Sequence, residues 1–380
     1  MLKAPPPAPV GVLIALGMNA DSAVQTNPPG TTFTFAAGTH RRQSIRPKAG
    51  DVFLGPGAIL DGQNATAYAF RGYNGAAWVN DVTIRNLTYT RYKPPAQMGA
   101  LWLGIDEANS TERWTVDSVY GHHNANLAIR IGNHARVLRS RFTYSTTINI
   151  GGVGKGVLVD GIESGWGNSG CQNDPGFESG GSKFVRTDSL VVRTSYFHDN
   201  CGVGLWLDID NINYVLEANR VEDNYREGIC TEISYRGVIR NNALARNGLQ
   251  TDPYRGKGWL WDAAIGVHAS SDVEVYGNTI TGDMQGIVAI QQDRGSGRYG
   301  PYVVQNLWVH DNAVTNVMWY SAGAVRDVSD NLIFSRNNRW DTNHYTIRAQ
   351  ATTPFAWSDN SRTKLNWLSY GQDAGATFTP

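Results

Sequence analysis

Short runs of alternating apolar and polar residues recur along this chain about every 23–24 residues. Placed one above the other, RTSYFHDNCGVGLWLDID (193–210) and EANRVEDNYREGICTEIS (217–234) agree position by position. Gly204 falls on Gly228, Leu205 on Ile229, Asp208 on Glu232 and Ile209 on Ile233. RNNALARNG (240–248) keeps the phase, and after an insertion AAIGVHAS (263–270) places Ile265 under Ile229 and His268 under Glu232. So short a period, with alternation inside it, predicts a solenoid whose coils stack strand on strand. Equivalent side chains then become neighbours about 4.8 Å apart.

The same rhythm marks coils at 52–62, 82–89, 114–121, 135–142, 156–163, 190–197, 214–221, 237–244, 273–280 and 307–314. Ser195, Asn219, Asn242, Asn278 and Asn312 share one position, and Asn200, Asn224, Asn247 and Asp283 share another. Polar files of this kind predict hydrogen-bonded ladders at the coil corners. Residues 1–18 read as a leader and 19–351 as the solenoid. The latter begins with a short helix capped by Asp21 or Ser22, which covers the open end. Residues 352–380, with Trp357, Trp367 and Tyr370, read as a C-terminal cap. Insertions at 164–183, 248–261 and 291–302, rich in Gly, Pro, Trp, Tyr and charge, are expected to wall a site on the rigid coils.

Composition narrows the function. Among 380 residues, Lys plus Arg equals Asp plus Glu at 33 each, so no global field draws in nucleic acid or an anionic membrane. The apolar run Val10 to Met18 is too short to span a bilayer and lacks the basic flank of a signal peptide. Cys171, Cys201 and Cys230 have no metal-ligand spacing, and their odd number argues against a disulfide framework. GGVGKG (151–156) lacks the spacing of a phosphate loop. His122 and His123, adjacent on a strand, are expected to face opposite ways and not share a metal.

The coils resemble the right-handed parallel β-helix of the pectin-lyase-like superfamily, from about Asp21 to Phe378. GGSKFVRTDSLVV, GVGLWLDIDN, GICTEISY and AIQQDRGSGRYGPY are similar to segments of bacterial right-handed β-helix repeat proteins. The resemblance implies an all-β fold: a single right-handed parallel β-helix of about ten coils, with an N-terminal helical cap and a C-terminal cap. Its members include polysaccharide lyases, glycoside hydrolases, sugar epimerases and trimeric phage tailspikes, so the fold alone does not select a function. The Asp, Asp-Asp, Gly-His-Gly and Arg-x-Lys combination of polygalacturonases is absent.

Alternation in LWLDID (205–210) turns Leu205, Leu207 and Ile209 inward and sends Trp206, Asp208 and Asp210 to one outer surface. Stacked on Glu232 and above His268, these acids form an exposed column, and neighbouring carboxylates raise each other's pKa. The ordinary alternative is a solvated strand face neutralised by Lys183 or Arg226. The candidate catalytic residues are therefore Asp208, Asp210, Glu232 and His268. Lys183, Trp206, Tyr235, Trp259, Trp261, Gln292 and Arg294 are candidate substrate-binding groups, with aromatic rings suited to sugar faces. No metal ligands are assigned and no cofactor is identified; a calcium ion is a candidate if the reaction is elimination. The expected activity is cleavage of an extended polysaccharide, with hydrolysis favoured over elimination. The alternative is a non-catalytic glycan- or receptor-binding phage tail or surface protein. Either reading expects a glycan partner, a monomer or homotrimer, and an extracellular, cell-surface or phage-particle location.

Overall fold

The computed structural model describes residues 11–250 and 259–379. Each coil carries three short strands. Val215–Glu217 and Arg220–Glu222 are separated by Ala218 in the left-handed conformation (φ 54°), and Asp223 (φ 56°) turns the chain toward Ile229–Glu232. Within the coils, strands pair in parallel with their counterparts one coil before and after, for example Val191↔Val215↔Val238. Winding in the usual right-handed sense, the chain forms a right-handed parallel β-helix. A sheet of 24 strands wraps two sides, and a sheet of 12 strands forms the third, from Phe70–Arg71 to Phe355–Trp357 and the antiparallel Asn360–Arg362. Among the described residues no helix is long and apolar enough to cross a membrane.

Parallel register stacks like on like inside the coil. Leu205, Ile229, Ile265, Ile287, Ala322 and Phe355 form one inward column, and Phe184, Leu207, Thr231, Val267, Ala289 and Ala324 another. All are buried, and each large aliphatic or aromatic member contributes about 1.5–3 kcal/mol from burial. The polar files are ladders as expected. Asn242 Oδ1 accepts from the Asn219 N–H and Nδ2, while Asn242 Nδ2 donates to the Leu216 carbonyl and to Asn278 Oδ1. The chain of bonds continues through Asn312 and Asn343 to Asp373.

Both ends depart in detail from the sequence reading. Asn19, not Asp21 or Ser22, caps the helix Ala20–Thr26, accepting from the Ser22 N–H, and Asp21 pairs with Arg46 instead. Val12–Ile14 already pairs with Phe33–Phe35, so stacking begins inside the segment read as leader, whose first ten residues lie outside the described ones. At the other end Phe355–Trp357 and Thr377–Thr379 still stack on the preceding coil after the repeat has faded from the sequence. Trp367 of the helix Lys364–Ser369 closes that end: it is fully buried, lies flat on Phe355 at 5.0 Å, and donates to Asp373 Oδ2.

Cys171 and Cys201 form a disulfide, against the expectation from an odd count; the third, Cys230, is buried and free. Three cysteines are compatible with one bridge when the fold brings an insertion back beside its own coil. The bridge ties the 164–183 insertion to the corner beside Asn200. Cross-linking residues 30 apart stabilises by about 3–4 kcal/mol in the chain-entropy model. Reduction, or Cys201→Ser, is therefore expected to lower the melting temperature by several degrees; an unchanged melting curve under reductant would refute the staple.

A second prediction follows from the lower Asn ladder. It ends on Asp283, whose Oδ1 accepts from the Asn247 N–H and Nδ2 while its buried Oδ2 lacks a hydrogen bond. Burial pushes this carboxyl up from 3.8 to about 7. A raised folded-state pKa means the stability is present at about pH 4 and lost as pH rises through about 7. Asp283→Asn restores the ladder's usual residue and removes that loss. Its melting temperature should exceed the parent's at about pH 8 and match it near pH 4. An equal shift at both pH values would refute the assignment.

Candidate active site

The predicted register is the observed one: Asp208 pairs with Glu232, and Glu232 with His268, on consecutive strands of the 12-stranded sheet. What differs is exposure. Asp208, Glu232 and His268 are all buried, because the insertions fold down over the strands. Asp208 and Glu232 line a cleft of about 410 Å³ with Phe177, Glu178, Lys183, Trp206, Arg226, Glu227, Cys230, Trp261, Gln292 and Arg294, among others. Two hollows of about 240 and 300 Å³ adjoin it through Glu178 and run back across earlier coils past Leu127 and Gln97, so the site lies in a groove along the helix axis.

Lys183, on Gly180–Val185, sits between two acids, 2.9 Å from Asp208 Oδ2 and 3.0 Å from Glu178 Oε1, and 3.9 Å from the Trp206 ring centre. Burial alone would lower its pKa; Asp208 and Glu178 outweigh that and hold it above the ordinary lysine value. Arg294 ion-pairs with Glu232 and touches Gln292 Oε1 at 3.4 Å. Four carboxylates, Glu178, Asp208, Glu227 and Glu232, thus line the cleft with three cations, Lys183, Arg226 and Arg294. Burial pushes the Asp208 carboxyl up, Lys183 opposes this and Glu232 reinforces it; the net direction is upward. Its Oδ1 is buried without a hydrogen bond, as is the Trp206 indole N–H.

His268 lies deeper. Its ring folds back over Gly266, where a Cβ would stand 2.8 Å from Nε2, and Trp261 packs edge-on at 4.6 Å. Nδ1 is 3.6 Å from Cys230 Sγ and Nε2 has no hydrogen bond. Burial holds this imidazole below its usual pKa and pushes the Cys230 thiol well up. His268 is therefore a buried support of the column and not the exposed group expected.

Three other expected residues stand elsewhere. The strand ends at Asp208, and Ile209 (φ 58°) and Asp210 (φ 55°) are both left-handed, which breaks the alternation. Ile209 leaves the core, and Asp210 turns away from the cleft to accept from Tyr302 Oη and the Arg298 N–H. Gly297 is required there, since a Cβ would come within 2.0 Å of Asp210 Oδ1. Tyr235 donates to the Gly300 carbonyl and supports the same hairpin. Trp259 lines a different cavity. His122 and His123 also meet, Nδ1 to Nδ1 at 2.8 Å, because His123 (φ 52°) turns the corner and brings the rings together.

Sequence reasoning missed Glu178, Glu227 and Asp262, and gave Arg226 only as a group that could neutralise a solvated face; all but Glu178 are buried. Arg226 Nε lies 2.5 Å from Asp262 Oδ1. Burial would raise Glu227, but Arg226 and His268 outweigh it and hold it low. The signal was available: Arg226 and Glu227 immediately precede Gly228 at the entry of a predicted strand, where side chains face the insertions. Among the described residues no group of three or more His, Cys, Asp and Glu side chains is arranged to hold a metal ion. Asp208, Glu178 and Glu232 are each committed to Lys183 or Arg294, a donor set that does not fit calcium.

With the Asp208 carboxyl raised in the folded state, the parent loses stability as pH rises through its folded-state pKa, and Asp208→Asn does not. The variant should melt at or above the parent at neutral pH, with the difference closing toward the ordinary carboxylate range. A clear drop at neutral pH would mean the carboxylate serves mainly to anchor Lys183.

A family model described as a right handed beta helix region matches residues 103–280. No curated protein matches the chain by sequence. Among solved structures, the A-module of a mannuronan C-5 epimerase from Azotobacter vinelandii is similar with a TM-score of 0.57 at 14% identity, over 95% of this chain and 94% of that one. The catalytic domain of a GH87 alpha-1,3-glucanase, solved with tetrasaccharides, gives 0.58 at 12% identity, over 100% and 69%. A surface adhesin of Streptococcus pneumoniae gives 0.51 at 14%, over 86% and 79%. At these identities the likeness is one of fold.

Proposed function

For this chain, a right-handed parallel β-helix, we propose a carbohydrate-active enzyme that hydrolyses an extended polysaccharide lying in the groove. The observation that carries this reading is the unequal pair Asp208 and Glu232. One carboxyl is pushed toward its protonated form by burial, and the other is ion-paired with Arg294. Equivalent positions on adjacent strands lie about 4.8 Å apart, close to the ~5–5.5 Å separation of retaining glycosidases. Asp208 would act as the acid that protonates the leaving oxygen, and Glu232 as the nucleophile, released from Arg294 as the substrate settles. Trp206, Trp261, Gln292 and Arg294 would hold the sugar.

Elimination is the less supported chemistry here, because Lys183 is clamped between two acids and held protonated instead of being free to abstract a proton. The mannuronan epimerase and the glucanase of similar fold support a polysaccharide as the ligand, and the adhesin supports a surface setting. The Cys171–Cys201 bridge supports an oxidising, extracellular or cell-surface compartment.

The test is a panel of soluble polysaccharides scored for both binding and cleavage. New reducing ends with retained anomeric configuration, and without the ultraviolet absorbance of an unsaturated sugar, are expected. Asp208→Asn and Glu232→Gln should each lower turnover by about two to four orders of magnitude while keeping the fold. Unsaturated products would replace hydrolysis by elimination. Binding without cleavage would make this a glycan-binding protein, and near-parent activity in either variant would make the column structural.

A further inference from the structure

The outer columns of the 12-stranded sheet do not stop at His268. Beyond it they become apolar: Gly266 is followed by Val288 and Gly323, and His268 by Ile290 and Val325. This patch is roofed by Leu260, fully buried on it, with Trp261 and Tyr320 packed alongside. The run Trp259-Leu260-Trp261 is therefore a partition. Leu260 is its foot, Trp261 faces the cleft over His268, and Trp259 faces a second cavity of about 460 Å³. Trp259, Met318, Trp319, Tyr320, Gln350 and Thr352 line that cavity, and none of its described lining residues is charged.

Its chemistry differs from that of the cleft. Trp259, Met318 and Trp319 are 38, 40 and 45% exposed, a cost that surface aromatic residues seldom bear together without a partner. Trp259 stands edge-on to Tyr320 at 5.8 Å, and the Tyr320 hydroxyl is fixed to Ser361 Oγ at 2.7 Å, so the rings are held in place. An exposed amide and hydroxyl, Gln350 and Thr352, lie beside them. Indole faces with neighbouring neutral hydrogen-bonding groups suit a pyranose ring: the rings cover its C–H face and the amide and hydroxyl meet its rim. From the Glu232 strand to the strand that follows Tyr320 is three rungs, about 14 Å. That is longer than one sugar ring, and it extends along the helix axis on the side of the cleft opposite the hollows at Leu127 and Gln97.

The geometry points to the Trp259–Trp319 cavity as a second, uncharged sugar-binding subsite that grips the distal part of the glycan chain whose scissile region lies at Asp208 and Glu232. This rests on the proposed function for the occupant but not for the chemistry, since a glycan-binding protein would use the subsite equally.

The experiment uses the full chain carrying Asp208→Asn, to prevent turnover. Its tryptophan fluorescence is titrated with long and short oligosaccharides of two series, a neutral α-1,3-glucan and an anionic mannuronan. The long members of at least one series should quench the fluorescence. Trp319→Ala on the same background should weaken that binding about tenfold or more, Trp319→Phe should recover most of it, and the short members should keep their affinity. Long-oligosaccharide affinity within twofold of the parent in Trp319→Ala overturns the subsite, as does failure of both series to bind. Catalysis is read separately, in the chain without Asp208→Asn. Binding that depends on Trp319 without cleavage leaves the subsite standing and sinks only the hydrolase reading.

Discussion

In-register parallel stacking is the constraint on which everything else here depends. It places each residue about 4.8 Å from its equivalents one coil away, so every column must tolerate its own repetition. Aliphatic residues tolerate it best, and the columns through Ile229 and Val267 make the core. Asparagine tolerates it because one side chain both donates and accepts, so Asn219, Asn242 and Asn278 satisfy one another and the corner backbone. Carboxylates tolerate it least. Asp208 above Glu232 is the place where the stack holds a repulsive pair, and two cations, Lys183 on the preceding strand and Arg294 from an insertion, keep it together.

The register was legible because period and alternation are written in the chain, and the pairings Leu205↔Ile229↔Ile265 follow the alignment of the coils. Burial was not legible, since it depends on how the insertions fold over the strands. Asp210 was misplaced because strict alternation was carried past the end of a strand. Two successive left-handed residues, neither glycine, give no warning in the sequence. The same conformation brought His122 and His123 together. The Cys171–Cys201 bridge and the Glu178 contact to Lys183 both come from one irregular loop, where no periodicity guides an expectation.

The two kinds of backbone divide the work. Strands fix Asp208, Glu232, Trp206 and Cys230 by hydrogen bonding on both sides, so these atoms have little freedom. Insertions supply Phe177, Glu178, Trp261, Gln292 and Arg294, and the disulfide anchors the first of these loops to the stack. Such a site can change its walls without changing its floor, which is how one β-helix scaffold can carry different chemistries.

Glu178 and Asp208 share the single cation Lys183, and in a buried site a second carboxylate on one cation is costly to keep ionised. Burial pushes the Asp208 carboxyl up, with Glu232 reinforcing this and Lys183 opposing it, and its second oxygen is buried without a hydrogen bond. A sugar entering the cleft would expel more water and strengthen this upward push, since a lower effective dielectric penalises the charged form further. The arrangement that makes the column costly to build is thus the one that would keep a proton ready beside an ionised neighbour.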